Sequence, residues 1–300
     1  MPHYDYVRVF SHTAQQSKIE TETDLMRIVL QTKTKMNNYF RKRFLSVVVN
    51  QRMMSYLKAN KIRFYKNVDI HPDKNGYLIQ LDNRTIKTPL LNQLCVPTKR
   101  LAVAVANEWF MQTEVIDQHN MPLTAICNTA IDNPTNITQE ELADEILNFF
   151  HTDTICALAE EPEALMWLQK EKWTPIHEWF SKKFNVEVNA SSDLFCLYQP
   201  DHAISTMKNF LMKLNRWQLC GVQAAVDSIK SFILPLCVIE KHISIEEALY
   251  LSRLELEFQI EKWGNVEYAH DIDRYNQQSL LTTAVLVFHL SQSTLVEELP

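Results

Sequence analysis

Beyond residue 61 the chain carries two hydrophobic rhythms. In residues 62–97, "RFYKNVDI" and "GYLIQLD" alternate apolar and polar positions, the period of half-buried strands. Between them "HPDKNG" is rich in turn formers and ends in Gly76, which predicts a hairpin loop. "RTIKTP" follows, and Pro89 and Pro97 punctuate the stretch. Thr98 is placed to cap a helix through "KRLAVAVANEWFMQ", and "MPLTAICNTAID" predicts a turn followed by a short apolar segment. After Asn133-Pro134 the apolar residues recur every three or four positions, the helical period. Thr138 with Glu141 forms a capping-box pattern before "ELADEILNFF". Pro162 suits the first turn of "PEALMWLQKEKW", and Asp201 is placed to cap "HAISTMKNFLMKLN". Apolar segments follow at 216–233 and 236–241, then a second capping-box pattern at Ser244 and Glu247, then a last helix over about 273–290. The expected fold is α+β: a small β-rich N-terminal domain at 61–132 and a larger all-helical C-terminal domain at 133–300.

Composition narrows the chemistry. The chain has 300 residues but three glycines, Gly76, Gly221 and Gly264. A GxGxxG or P-loop phosphate cradle needs several glycines close together, so nucleotide folds of that kind are excluded. The six cysteines are spread from Cys95 to Cys237 with no CxxC pair, which predicts buried thiols in a reducing compartment, not a zinc site. No uncharged apolar run nears the ~18 residues of a membrane span.

Charge is distributed unevenly. Residues 25–68 hold eleven Lys or Arg and no acid, with Met36, Phe40, Phe44, Val47 and Val48 near one helical face. That composition marks residues 1–60 as a mitochondrial transit peptide or a disordered basic arm. Asp5, Glu20, Glu22 and Asp24 are foreign to a presequence, so Met26 and Met36 are alternative starts. Residues 61–300 hold 20 basic and 32 acidic residues, a net charge of −12. From Leu101 to Gln169 there are twelve acids and no Lys or Arg. Such a field repels nucleic acid and draws in basic surfaces.

The densest candidate chemistry is "LSRLELEFQIEKWGNVEYAHD" at 251–271. Glu267 and His270 make a Glu-x-x-His pair that, with Glu261, offers a carboxylate-bridged metalloenzyme site, but a di-iron bundle needs a second such pair and none exists. His270-Asp271 lacks any recognisable nucleophile context. Plotted at about 100° per residue, Ile245, Leu249, Leu256, Ile260 and Trp263 share one arc, and Tyr250, Leu251, Leu254 and Phe258 the opposite one. That predicts one helix sandwiched in the core, showing little apolar surface, with charges confined to narrow stripes. Arg253, Glu257 and Glu261 form one stripe. It either pairs internally or awaits an external cation, and the like-charge pair Glu257–Glu261 costs only about 0.2–0.5 kcal/mol.

Six ordered blocks carry a resemblance: "RFYKNVDI", "GYLIQLDNRTIKTP", "VPTKRLAVAVANEW", "MPLTAICNTAIDNP", "DTICALAEEPEALMWLQKEKWTPIHEW" and the 251–271 stretch. Together they resemble the mitochondrial chaperone family that assembles the F-type ATP synthase by escorting its alpha subunit, over about residues 62–290. The resemblance implies a β-rich domain followed by a helical one, and a chaperone, not an enzyme, working in the mitochondrial matrix. It implies binding to the unassembled alpha subunit, which is kept from aggregating until the beta subunit takes its place. No cofactor, membrane, nucleic acid or small-molecule substrate is implied. It also carries function onto Glu255 and Glu257. With Glu261, Trp263 and Asp271 these make the expected client-binding set. The family often reads three consecutive acids where this chain has Glu255-Leu256-Glu257, and Tyr-Arg where it has Ala157-Leu158.

Overall fold

The computed structural model describes residues 61–193, 198–265 and 269–292. The predicted transit peptide or arm at 1–60 lies outside them.

The alternating stretch forms strands β1 (Val68–Asp73) and β2 (Gly76–Leu81), antiparallel and in register from Val68 against Leu81 to Asp73 against Gly76. The turn is therefore only Lys74-Asn75, and His71, Pro72 and Asp73 are strand, not loop as expected. Pro72 is tolerated because β1 is an edge strand, with no outer neighbour that would need its N–H. Gly76 is obligatory: its φ is +143°, and a Cβ there would lie 2.2 Å from the Val96 carbonyl oxygen. A second tight turn uses Asp82 and Asn83, both at positive φ, to reach β3 (Arg84–Thr85). β4 (Cys95–Val96) also pairs with β2, which makes β2 the centre of the sheet.

Helix α1 (Lys99–Phe110) begins where expected. The Thr98 hydroxyl oxygen accepts from the Leu101 N–H at 3.2 Å, and the same hydroxyl donates to the Leu290 carbonyl. Leu101, Ala102 and Val105 bury fully as α1 packs across β1 and β2.

"MPLTAICNTAID" is not a turn with a short apolar tail. It forms helix α2 (Pro122–Asp132), with Pro122 in its first turn and Asn133 closing it at positive φ. Its own N-cap residue, Met121, offers no side-chain acceptor. Glu108 of α1 supplies one, taking the Leu123 and Thr124 N–H groups at 2.7 and 2.8 Å. At the other end Arg216 Nε donates to the Ala130 carbonyl at 3.0 Å.

The remaining helices follow the 3.6-residue rhythm. They are α3 (Gln139–His151), α4 (Glu163–Phe184), α5 (Asp201–Met212), α6 (Arg216–Ile229), α7 (Ile233–Ile239), α8 (Ile245–Ser252), α9 (Leu254–Trp263) and α10 (Ala269–Leu290). The Thr138–Glu141 capping box is formed in both directions. Ser244 accepts from the Glu247 N–H at 3.1 Å. Pro162 and Asp201 each sit one place from their expected positions: Pro162 is the N-cap of α4, and Asp201 is the first residue of α5 after the N-cap Pro200. α6 and α10 cross closely. Gly221 makes this possible, because a Cβ there would stand 2.9 Å from the Ala284 carbonyl oxygen. The buried core is continuous from Tyr65 to Phe288. A small strand-bearing region followed by a larger helical one is the expected architecture.

Buried polar groups tie the helices together. Asp153, fully buried just after α3, accepts from Ile155 N–H at 3.2 Å, Phe232 N–H at 2.8 Å and Ile233 N–H at 2.9 Å, which caps the start of α7. Burial pushes its carboxyl up to about 6, against the pull of those donors.

Candidate functional site

The candidate client-binding residues lie where α8, α9 and α10 meet. The expected single helix over this stretch is two. The break falls at Arg253, whose φ of −110° and ψ of 11° leave the helical well. Its N–H bonds the Tyr250 carbonyl at 3.1 Å and closes α8, while its carbonyl accepts from Glu257 N–H at 2.8 Å and opens α9. The cause is the Arg253 side chain, which turns inward and is 7 % exposed. There it meets Glu257 Oε1 at 3.5 Å, Gln277 Oε1 at 3.0 Å and the His270 carbonyl at 3.5 Å. A buried guanidinium must be paired in this way, because desolvating it alone is too costly.

The break corrects the sandwich expectation. Leu249, Leu251 and Leu254 are buried, but nothing in α9 beyond Leu254 is. Trp263, placed on a core arc by the helical wheel, is 77 % exposed. Gly264 ends α9 at a φ of +88°.

The five candidate residues divide into two kinds. Glu255 is exposed but tethered to α4, and Glu257 is partly buried against Arg253. Glu255 Oε1 accepts from Gln169 Nε2 at 2.7 Å, and Gln169, fully buried on α4, takes the Ala159 N–H at 2.7 Å through its own oxygen. Trp173 of α4 adds a bond from Nε1 to the Leu251 carbonyl at 3.1 Å. Glu261, Trp263 and Asp271 face solvent. Among the described residues Asp271 receives a long bond from Asn265 Nδ2, 3.5 Å. Ile272 and Tyr275, one helical turn apart on α10, add exposed apolar surface that the sequence reading missed.

No reactive centre emerges among the described residues. His270 Nδ1 is bonded to Asn265 Oδ1 at 2.8 Å, not to Asp271. Glu267 lies outside the described residues, and among those described no three His, Cys, Asp or Glu side chains group as metal ligands. The described cysteines are all free, and four of the five are buried. Cys156 Sγ lies 3.9 Å from His177 Nε2, but burial pushes the thiol up and holds the imidazole down to about 4, so both stay neutral. What the α8–α10 surface offers is aromatic and aliphatic area set among carboxylates, which suits holding a partner.

The sequence shares that fold with known proteins. Residues 62–181 match the family described as ATP12 chaperone protein. The mitochondrial protein atp12 of Schizosaccharomyces pombe is 31 % identical, over 75 % of this chain and 81 % of that protein. The chain belongs to the ATP12 chaperone family. The mitochondrial ATP12 of Saccharomyces cerevisiae is 27 % identical, over 77 % of this chain and 84 % of that protein. The crystal structure of Atp12 from Paracoccus denitrificans superposes with a TM-score of 0.70 at 30 % identity, over 77 % of this chain and 98 % of that one. The chain is thus a chaperone of this family, and the naming of both fungal relatives as mitochondrial places it in the mitochondrion.

Proposed function

We propose that this chaperone works in the mitochondrial matrix in assembly of the F-type ATP synthase, holding the unassembled alpha subunit until the beta subunit displaces it. The basic residues 25–60 serve as its import signal. The observation that carries the reading is the 77 % exposed Trp263, set with exposed Ile272 and Tyr275 among Glu255, Glu261 and Asp271. An unassembled subunit exposes an apolar contact surface, which is an aggregation hazard. An aromatic and aliphatic surface rimmed by carboxylates covers such a contact and discriminates by charge. Without hydrolysis, release follows from competition for the same surface. The test mixes the chain with purified alpha subunit and follows the complex by gel filtration. A one-to-one complex is expected, weakened about tenfold or more by Trp263→Ala, a typical loss for a central aromatic contact, and dissolved by purified beta subunit without ATP. A complex that survives excess beta subunit and dissolves only on ATP hydrolysis excludes the competition mechanism.

A further inference from the structure

We propose that Arg253 is a positioning residue of the client surface: from inside the protein it fixes the angle between α9 and α10, and so the spacing of Glu261 and Trp263 from Asp271, Ile272 and Tyr275. The inference rests on the alpha-subunit reading for the identity of the client, but not for the geometry.

Three observations carry it. The Arg253 guanidinium is the one arginine side chain in the buried polar set of the described residues, so its contacts are shielded from water. Its three partners lie on both sides of the surface: Glu257 on α9, and Gln277 with the His270 carbonyl on α10. Its backbone is also the break between α8 and α9, so one residue sets where α9 starts and ties that start to α10 through Gln277 and the His270 carbonyl. A planar, five-donor guanidinium can satisfy diverging acceptors on two helices at once, whereas a lysine ammonium is a point donor on a mobile stem. Glu257 then has a defined place. It is the partly exposed counter-ion of a buried cation, and not the residue that meets the client. Contact with a client cation falls to Glu261 and Asp271.

Removing Arg253 alone would leave Glu257 without its cation, and a loss of binding could then reflect poor folding. The informative protein is therefore the full chain carrying Arg253→Met together with Glu257→Gln, which removes the pair and leaves no unpaired charge. Two readings are taken beside the unchanged chain. The first is hydrogen exchange by peptide. Exchange in residues 270–277 should rise at least tenfold while residues 281–288 of the same helix, packed on α6, keep their protection. Unchanged exchange at 270–277 in the folded double variant overturns the proposal. The second is affinity for purified alpha subunit, expected to fall at least tenfold in the double variant and much less in Ser252→Ala, an adjacent control. Raised exchange with unchanged affinity overturns the role in the client surface. If the unchanged chain binds no alpha subunit, the functional reading fails, and the exchange result alone decides whether Arg253 positions α10. Arg253→Lys, which keeps the charge but not the fork, should behave like the double variant in exchange, and full protection there overturns the claim that the fork matters.

Discussion

His177 sits on α4 with Nε2 3.9 Å from the Cys156 thiol, largely shielded from water. Its imidazole stays neutral down to about 4, chiefly because burial penalises the cation, whereas in the unfolded chain it takes a proton near 6.5. Between those values the unfolded chain binds the proton more readily. The stability contributed by the neutral ring is therefore present above about pH 6.5 and is lost as the pH falls toward 4. Full linkage over that interval would be about 3 kcal/mol, and partial exposure reduces it to about 2 kcal/mol. A His177→Gln variant lacks this proton uptake. Its deficit against the unchanged chain, measured by urea unfolding, should shrink by about 2 kcal/mol between pH 7 and pH 4.5. A deficit independent of pH would show that His177 is solvated. Asp153 is different in kind: Thr-Asp-Thr at 152–154 reads in the sequence as a turn or cap, and Asp153 does cap the turn at Ile155, but its burial and its two further donors, the Phe232 and Ile233 N–H groups, come from a distant segment.

At the level of elements, a local capping residue makes several helix starts legible in the sequence, although α4 and α5 are legible from periodicity with no side-chain cap and the Asn215–Gln218 capping box of α6 goes unread. Thr98, Thr138 and Ser244 each accept from the N–H three residues on, so local spacing was enough to place α1, α3 and α8. α2 has no such residue, because its cap is Glu108 from another helix, and local spacing there predicts only a turn and a short apolar segment. This sets a prediction. Glu108→Ala should cost about 2 kcal/mol in urea unfolding, since it leaves the Leu123 and Thr124 N–H groups without acceptors. A cost below about 0.5 kcal/mol would mean that water completes the cap. The break at Arg253 was illegible for a related reason. A helical wheel assumes an unbroken helix, and only the third dimension reveals that Gln277 and the His270 carbonyl lie where an inward guanidinium can reach them. The carboxylates of the candidate site were legible as residues. Their division into the tethered Glu255 and Glu257 and the solvent-facing Glu261 and Asp271 was not, because it depends on Gln169 and Arg253.

For the molecule as a whole, charge governs how a client is met. With a net −12 over residues 61–300, encounter with a basic surface is accelerated at long range and screened by salt. Stopped-flow association with purified alpha subunit should slow by about tenfold between 20 and 500 mM salt, while dissociation changes little, because the Debye length contracts over that range. A salt-independent association rate would assign recognition to the apolar surface alone. The borrowed ends of α2 also bear on how the protein is made. Glu108 precedes Leu123 by 15 positions, but Arg216 follows Ala130 by 86. At the ribosome's pace of about 5–20 residues per second, the amino end of α2 can be completed roughly 5–18 seconds before Arg216, which adds its bond at the carboxyl end, has been synthesised. Throughout that interval α2 lacks its Arg216 bond and rests on Asn133 alone at its carboxyl end, so the nascent chain must itself be kept from misassociating before it can do the same for another protein.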